Sequence, residues 1–209
     1  KQKVEGTYAA KSPGGVYKGC ATHRDFRELL ARKDVDAVMI STPDHWHAYM
    51  AIEAARAGKD IALEKPISLS LAEGRAIADA VKQHGRIFRT DTEVRSEQRF
   101  VRLCEVVRNG RLGKIQRVYA GVPKDPPPLT ETPAPMPVPP ELDYPLWLGS
   151  APERPYTEQR VHSPQAGLDY SGKGPGWMHI RDYSQGVILN WGTHILDIVQ
   201  WGLNTERTG

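Results

Sequence analysis

The chain has 209 residues, of which 39% are hydrophobic and 25% are charged, a composition typical of globular domains. No apolar run approaches the roughly 20 residues of a membrane-spanning helix, and the net charge of +3 is too small and too evenly spread to favour a nucleic-acid partner. The two cysteines, Cys20 and Cys104, cannot build a disulfide framework or a cysteine zinc site, and we expect two buried thiols.

The two ends of the chain suggest a piece of a longer protein. The chain begins at Lys1 rather than at methionine, and its first ten residues lack the apolar core of a signal peptide. It stops abruptly after Arg207-Thr208-Gly209. We therefore expect further chain on both sides, and the absence of a leader carries no information about export.

Strand and helix patterns alternate in the first part of the chain. In the first helix Thr22 is the expected N-cap, and Phe26, Leu29 and Leu30 recur at helical spacing. The predicted elements are helix 22–33, strand 36–41, helix 45–57, strand 60–63, a helix from Ser68 or Ser70 to about His84, and strand 86–90. Short apolar strands joined through helices predict a parallel, doubly wound sheet covered on both faces. Ligands of such sheets bind at the carboxyl ends of the strands.

The pattern changes after about residue 92. A helix is predicted over 97–109, with Phe100, Leu103, Val106 and Val107 inward, and a strand over 115–122. Residues 123–145 carry ten prolines and must run extended over a surface, as a loop or as an arm on a neighbouring subunit. The last predicted element is a helix from about residue 193 to 203, with residues 195, 198, 199 and 203 inward. We expect one partial domain over 1–92 and a second over 93–209.

The tripeptide Glu64-Lys65-Pro66 ends the second predicted strand, where a ligand crevice is expected. A lysine there can hydrogen-bond a sugar hydroxyl and take part in proton transfer. The glutamate can accept bonds from ribose hydroxyls, and the proline restricts the backbone that aims Lys65. A bare tripeptide of this kind also occurs by chance at strand ends.

Several separated motifs, in a consistent order, give the tripeptide its context. They lie at residues 41–47, 57–66, 95–96, 105–115, 143–149, 182–184 and 190–197. With them the chain closely resembles, over nearly its whole length, the glucose-fructose oxidoreductase/inositol dehydrogenase family, written Gfo/Idh/MocA. The resemblance implies an α/β fold: an incomplete Rossmann-type doubly wound parallel sheet, then part of an α+β domain with a mostly antiparallel sheet.

The resemblance also implies the site residues. Those that would bind NAD or NADP are Thr42, Pro43, Asp44, His47, Glu64, Lys65 and Pro66. The catalytic set is Lys65, Asn190 and His194, with His194 opening a helix and exchanging the hydroxyl proton as hydride passes to nicotinamide. Substrate contacts fall on Lys65, Asp182, Tyr183, Trp191, His194 and Asp197.

Two departures from the family pattern stand out. The inositol-dehydrogenase branch has aspartate four residues before the histidine, where this chain has Asn190. A neutral amide can orient a substrate hydroxyl but cannot stabilise an imidazolium as a carboxylate would. Asp182 or Asp197 could substitute, although Asp197 could equally be a structural carboxylate of its helix. The glycine-rich phosphate loop is also missing, because we expect the sequence to start after it; Lys11–Gly15 lies in a later loop and does not match G-x-G-x-x-G. The main pyrophosphate contacts therefore lie outside this sequence, and the 209-residue piece by itself is expected to be inactive.

Alternative readings of single residues stay open. His45 and His47 could form a metal pair, but no Cys or carboxylate cluster accompanies them, and no metal site is predicted. Arg95 lies either at the crevice between the domains or on the surface. The aromatic residues Trp147, Tyr156, Tyr170, Trp177 and Tyr183 could stack on sugar rings, but core packing or a subunit interface is the preferred role for most of them.

The resemblance predicts an NAD(P)-dependent oxidoreductase acting on a sugar, polyol or glycoside. One alternative is an NAD-dependent glycosidase that works by oxidation and elimination; another is a non-catalytic sugar- or dinucleotide-binding regulator of the same fold. The family implies a homo-oligomer, a dimer or tetramer, and from the charge and the apolar runs we expect no nucleic-acid or membrane partner. It also favours the cytoplasm, with periplasmic export through a missing leader as the alternative.

Overall fold

The structure is a computed structural model that describes residues 1–123, 133–161 and 176–207. The chain divides into two compact units, Lys1–Asp36 and Ala37–Gly209. The first unit contains α1 (Gln2–Ala9) and the short α2 (Phe26–Leu30). The Asp25 side chain caps α2 by accepting from the backbone N–H of Arg27, so the predicted cap Thr22 and the predicted length of 22–33 were wrong.

A three-stranded parallel sheet forms the core of the second unit. Its strands are β1 (Ala37–Ile40), β2 (Asp60–Glu64) and β3 (Phe88–Asp91), hydrogen-bonded in that order. In the register, Ile40 is level with Leu63, and Glu64 is level with Asp91. The parallel sheet predicted from the sequence is confirmed, and all three strands end at the same edge.

Two helices connect the strands, α3 (His47–Arg56) and α4 (Leu71–Gln83). The start of α4 is a capping box, in which Ser70 Oγ accepts from the Glu73 N–H while the Glu73 carboxylate accepts from the Ser70 N–H. After α3, Gly58 adopts a left-handed φ of 74°, which a residue with a side chain disfavours. Both helix ends therefore lie close to the positions that the sequence indicated.

The two helices α3 and α4 pack on each other and form one layer beside the strands. On β1, Ile40 is buried on one side of the strand, whereas Met39 on the other side is 62% exposed. Burial on both faces was expected for this apolar run, and for Met39 that expectation was wrong. A short apolar strand does not by itself distinguish one covered face from two.

Helices α5 (Gln98–Arg108) and α8 (Gly186–Leu203) pack against each other further along the chain. Cys104 is buried in this contact, and its thiol donates to the Ile198 carbonyl at 3.7 Å. The residue that α5 buries is therefore Cys104, whereas Leu103, predicted inward, is 49% exposed. Leu203, also predicted inward on α8, is 39% exposed.

A separate aromatic cluster surrounds α6 (Tyr144–Leu148), a helix that the sequence reading missed. The Asp143 carboxylate caps it by accepting from the N–H of Leu146. The buried members of the cluster are Tyr144, Leu148, Tyr156, Val161 of α7 (Glu158–Val161) and Tyr183. Core packing, the preferred role for most of the aromatic residues, holds for Tyr156 and Tyr183, while Tyr170 lies outside the described residues.

Residues 115–122 do not form the predicted strand. They have no strand partner among the described residues, and Tyr119 is 84% exposed. The prediction was wrong because alternating apolar residues indicate only a capacity for pairing, whereas a strand needs a hydrogen-bonded neighbour. The three strands in the described ranges are all parallel, so the mostly antiparallel second sheet is not observed there.

The proline-rich segment is described only in part, since 124–132 lie outside the described residues. Its later portion, 133–139, runs without helix or strand, and the N–H of Met136 donates to the Tyr156 carbonyl at 2.9 Å. The described helices include none with both the length and the apolar character needed to cross a bilayer.

Candidate functional site

The ends of β1 and β2 are tied together by the ring of His47, at the start of α3. His47 Nε2 lies 2.9 Å from the Thr42 carbonyl oxygen, and Nδ1 lies 2.7 Å from the Pro66 carbonyl oxygen. The side chain is completely buried. Both ring nitrogens are thereby used on backbone groups, so His47 fixes the two loops that border the predicted cofactor site. A direct contact between its ring and a cofactor stays a prediction.

Asp44 lies in a 3-10 turn, Asp44–Trp46, directly after Pro43. Its buried carboxylate accepts a hydrogen bond of 2.6 Å from Ser184 Oγ, which lies two residues before α8. Burial raises the pKa of Asp44, and the Ser184 bond opposes that shift. The hydrogen bond connects the end of β1 with the start of α8, and the predicted cofactor contact of Asp44 is not tested.

Thr42 lies two residues after the end of β1, and its buried hydroxyl has no hydrogen-bond partner within the described ranges. A buried hydroxyl is ordinarily hydrogen-bonded, because burial without a partner costs free energy. At the carboxyl end of a parallel strand, this oxygen suits a polar ligand such as a nucleotide. Thr42, Pro43 and Glu64 are therefore compatible in position with the cofactor that the sequence predicts.

Lys65 follows β2 and reaches across to helix α8. Its Nζ donates to Asn190 Oδ1 at 3.1 Å, and its backbone N–H bonds the Glu64 carboxylate at 3.2 Å. Asn190 also contacts the Met178 sulfur, at 3.9 Å. The peptide bond between Lys65 and Pro66 is cis. The structure thus brings together two of the three predicted catalytic residues.

His194, the third of them, lies one turn after Asn190 on α8 and is 4% exposed. The prediction that it opens a helix was wrong, because α8 begins at Gly186. Burial lowers the pKa of His194; Lys65 lowers it further, whereas Glu93, Glu64 and Asp197 act in the opposite direction. The imidazole is consequently neutral at pH 7 and able to accept a proton.

The other predicted substrate residues face different partners. Asp182 lies 3.4 Å from the Arg154 guanidinium, and Tyr183 is fully buried with its ring edge-on to Trp147. Asp197 accepts two bonds from Arg95, at 2.5 and 2.8 Å. Trp191 remains beside the site, with its ring centroid 6.2 Å from that of His194. Substrate binding by these four residues stays a prediction.

Sequence reasoning missed Glu93, which begins the 3-10 turn Glu93–Ser96 after β3. Its Oε1 lies 3.6 Å from His194 Nε2. Nothing in the local pattern marks this glutamate, since the turn is short and its side chain is 59% exposed. Its position directly after a strand of the parallel sheet was the available signal.

The His45 ring contacts a backbone carbonyl. Its Nε2 lies 2.9 Å from the Trp147 carbonyl oxygen, which also accepts from the Trp46 indole N–H at 3.1 Å. In the described part of the chain there is no group of three or more His, Cys, Asp or Glu residues arranged to hold a metal ion. Nearby, Gly149 has a left-handed φ of 55° and lies against the Trp46 ring, where a Cβ would clash.

Two models of one oxidoreductase family match the chain. The model of its NAD-binding Rossmann fold matches residues 10–92, and the model of its C-terminal alpha/beta domain matches residues 130–209. The two matched regions follow each other without overlap and together span most of the sequence. Their order agrees with the parallel sheet and the later helical region described above.

Individual relatives are more distant. The myo-inositol 2-dehydrogenase of Thermotoga maritima is 33% identical over 107 residues, 50% of this chain and 32% of that protein. A glycosyl hydrolase family 109 protein of Shewanella sp. (strain W3-18-1) is 34% identical over 90 residues, 43% of this chain and 20% of that protein. The solved structure of an oxidoreductase domain protein from Kribbella flavida shares the fold, with a TM-score of 0.58 and 24% identity over 86% of this chain and 38% of that chain. This chain thus matches a third or less of the length of these curated relatives.

Proposed function

Because the chain belongs to the Gfo/Idh/MocA oxidoreductase family, we propose that it transfers a hydride between a sugar, polyol or glycoside hydroxyl and a nicotinamide cofactor. The observation that supports this most directly is the 3.1 Å contact of Lys65 Nζ with Asn190 on α8. His194 lies one turn further along the same helix. A lysine and a neutral histidine are thus available at one crevice, beside the strand ends where a dinucleotide would bind.

The proton has a defined route in this proposal. In the oxidation direction, His194 takes the proton of the substrate hydroxyl, because its lowered pKa leaves a neutral imidazole at pH 7. The Lys65 side chain donates a hydrogen bond to the same oxygen and stabilises the negative charge that develops there. Asn190 orients Lys65 through the bond to Nζ. The nicotinamide, when bound, supplies the acceptor for the hydride.

Five residues of the strand ends would hold the cofactor: Thr42, Pro43, Glu64, Lys65 and Pro66. The Thr42 hydroxyl, which has no hydrogen-bond partner among the residues that the structure describes, supports this assignment, and His47 bridges the two loops. The choice between NAD and NADP is open. The domain division at residue 92, the homo-oligomer and the cytoplasmic location implied by the family resemblance also stay predictions.

An NAD-dependent glycosidase is the second candidate, favoured by the similarity to a glycosyl hydrolase family 109 protein. In such a reaction, oxidation of one sugar carbon acidifies the neighbouring C–H, elimination cleaves the glycosidic bond, and reduction restores the sugar. Lys65 and His194 could serve both routes, since each route needs the same first hydride and proton transfer.

A panel of sugars, polyols and aryl glycosides, assayed with NAD and with NADP on the purified full-length protein, tests both candidates. We expect NADH or NADPH to accumulate on a free sugar or polyol, and His194→Gln to abolish this accumulation. Cleavage of a glycoside that needs NAD but yields no net NADH would support the glycosidase instead. Cofactor binding without any turnover would contradict both and would favour a binding regulator.

A further inference from the structure

The imidazole of His194 lacks the carboxylate that the family pattern led us to expect on its own helix. The position one turn earlier is Asn190, whose Oδ1 is used by Lys65. Asp197, one turn later, is held by both arms of the Arg95 guanidinium. Asp182 lies against Arg154. The residues proposed from the sequence to replace the missing aspartate are thus engaged elsewhere.

Glu93 approaches His194 from a different element, the 3-10 turn after β3. Its Oε1 lies 3.6 Å from His194 Nε2, beyond the range of a hydrogen bond but close enough for a charge interaction once the ring is protonated. The opposite ring nitrogen, Nδ1, is buried and has no hydrogen-bond partner in the described part of the chain. Nε2 is therefore the nitrogen that faces the carboxylate.

A second contact, between Arg95 and Asp197, joins the turn that carries Glu93 to α8. Arg95 binds Asp197 through Nε at 2.5 Å and through a terminal nitrogen at 2.8 Å, and its guanidinium lies 5.3 Å from the Trp201 ring centre. Two-point arginine–carboxylate pairs are geometrically specific. Asp197 lies three residues after His194 on α8. The Arg95–Asp197 pair therefore holds the turn that carries Glu93 beside the imidazole of His194.

We propose that Glu93 is a positioning residue that stabilises the imidazolium of His194 after it takes the substrate proton. This inference rests on the proposed function. The proton moves from the substrate hydroxyl to Nε2, and Glu93 itself neither gains nor loses one. Because no hydrogen bond ties Nε2 to Glu93, the lone pair of the nitrogen stays available to the substrate. Glu93 thus supplies the charge that a carboxylate at position 190 would have supplied.

The charges around His194 give the direction of the test. Glu93, Glu64 and Asp197 favour the protonated ring, whereas Lys65 disfavours it. Removing the Glu93 charge in Glu93→Gln therefore lowers the pKa of His194 further below its ordinary value. The acid limb of the kcat/KM profile moves to lower pH with it, and kcat falls by on the order of tenfold because the base is weaker.

The direct readout is an NMR titration of labelled histidine side chains, with the His194 signal assigned through His194→Gln. Glu97→Gln is the matched control, because the Glu97 carboxylate lies against Arg99, and it should leave the His194 titration unchanged. Glu93→Asp, which keeps the charge on a shorter side chain, should give an intermediate pKa. An unaltered His194 pKa in Glu93→Gln overturns the proposal whatever the activity. Absence of turnover in the unmodified full-length protein overturns the proposed function instead.

Discussion

Lys65 Nζ and Asn190 Oδ1 lie 3.1 Å apart although the two residues are 125 positions apart in the sequence. The contact spans the crevice between the end of β2 and helix α8. A lysine held in this way has a defined direction for its side chain before any substrate arrives, which reduces the entropy that binding must overcome. Two predictions follow from this pair.

Lys65→Met keeps much of the side-chain length but removes the hydrogen-bond donor. We expect kcat/KM for the oxidised substrate to fall by on the order of a hundredfold or more, since an oriented donor at the reacting oxygen is lost. Lys82→Met, on the exposed side of α4, serves as the control and should retain activity. Equal activity of both variants would contradict the role proposed for Lys65.

Asn190→Asp adds a carboxylate one turn before His194. The added negative charge favours the imidazolium, so the pKa of His194 should rise and the acid limb of the kcat/KM profile should move to higher pH. Asn190→Leu instead removes the acceptor used by Lys65 and should lower kcat by on the order of tenfold. A pH profile of Asn190→Asp that coincides with that of the unmodified protein would show that position 190 does not act on His194.

Ser184→Ala removes the hydroxyl that donates to the buried Asp44 carboxylate. We expect a loss of about 1–3 kcal/mol in the free energy of unfolding, because a buried acceptor is left without its donor. Urea denaturation followed by tryptophan fluorescence measures the loss. The double variant Asp44→Asn/Ser184→Ala should cost less than the two single changes added together, and strict additivity would exclude the coupling.

Two buried histidines, His45 and His194, predict a dependence of stability on pH. Burial lowers the pKa of both below the ordinary value of 6.5. Below about pH 6.5 these two histidines bind protons in the unfolded chain but much less in the folded chain. The free energy of unfolding therefore decreases as the pH drops below about 6.5. Asp44 has a raised pKa and acts with the opposite sign, in a window that begins at its ordinary value of 3.8. Denaturation midpoints between about pH 7.5 and pH 5 should decrease steadily, and less steeply in His194→Gln.

The two cysteines should react at different rates with a thiol reagent. Cys104 is 1% exposed and burial raises its pKa, so its thiolate is scarce and shielded, whereas Cys20 is partly exposed. We expect one thiol to react rapidly in the folded protein and both after denaturation. Cys20→Ser should eliminate the rapid phase. A rapid phase that survives this change would place the reactive thiol at Cys104.

Local sequence signals were sufficient to predict much of the parallel sheet and its connecting helices. The Ser70 cap, the stop at Gly58 and the short apolar strands depend on neighbouring residues, and each lies close to its predicted position. The same signals misjudged α8, which begins at Gly186 rather than near residue 193. Glycine and asparagine disfavour isolated helices, and packing on α5 outweighs that preference.

The contacts of the candidate site that could not be predicted from the sequence join residues far apart in the chain. Glu93 meets His194, and Ser184 meets Asp44, across gaps in the chain that no periodic pattern can bridge. Family resemblance supplied Lys65 and His194, and the sequence offered Asp182 or Asp197 as the substitute carboxylate. Asp197 is held by both arms of Arg95, and Asp182 lies against Arg154. Which carboxylate is available to His194 depends on the other groups that each carboxylate binds.

The Trp147 carbonyl oxygen accepts hydrogen bonds from the side chains of His45 and Trp46. These two residues precede Trp147 by 102 and 101 positions in the sequence. A main-chain acceptor is chemically the same for every amino acid, so this junction makes no demand on the side chain at position 147. Among homologous sequences, residues 45 and 46 need not covary with residue 147 for the junction to persist. An insertion or deletion that displaces the backbone of α6 would break both bonds at once, so this region should tolerate substitutions better than changes in length.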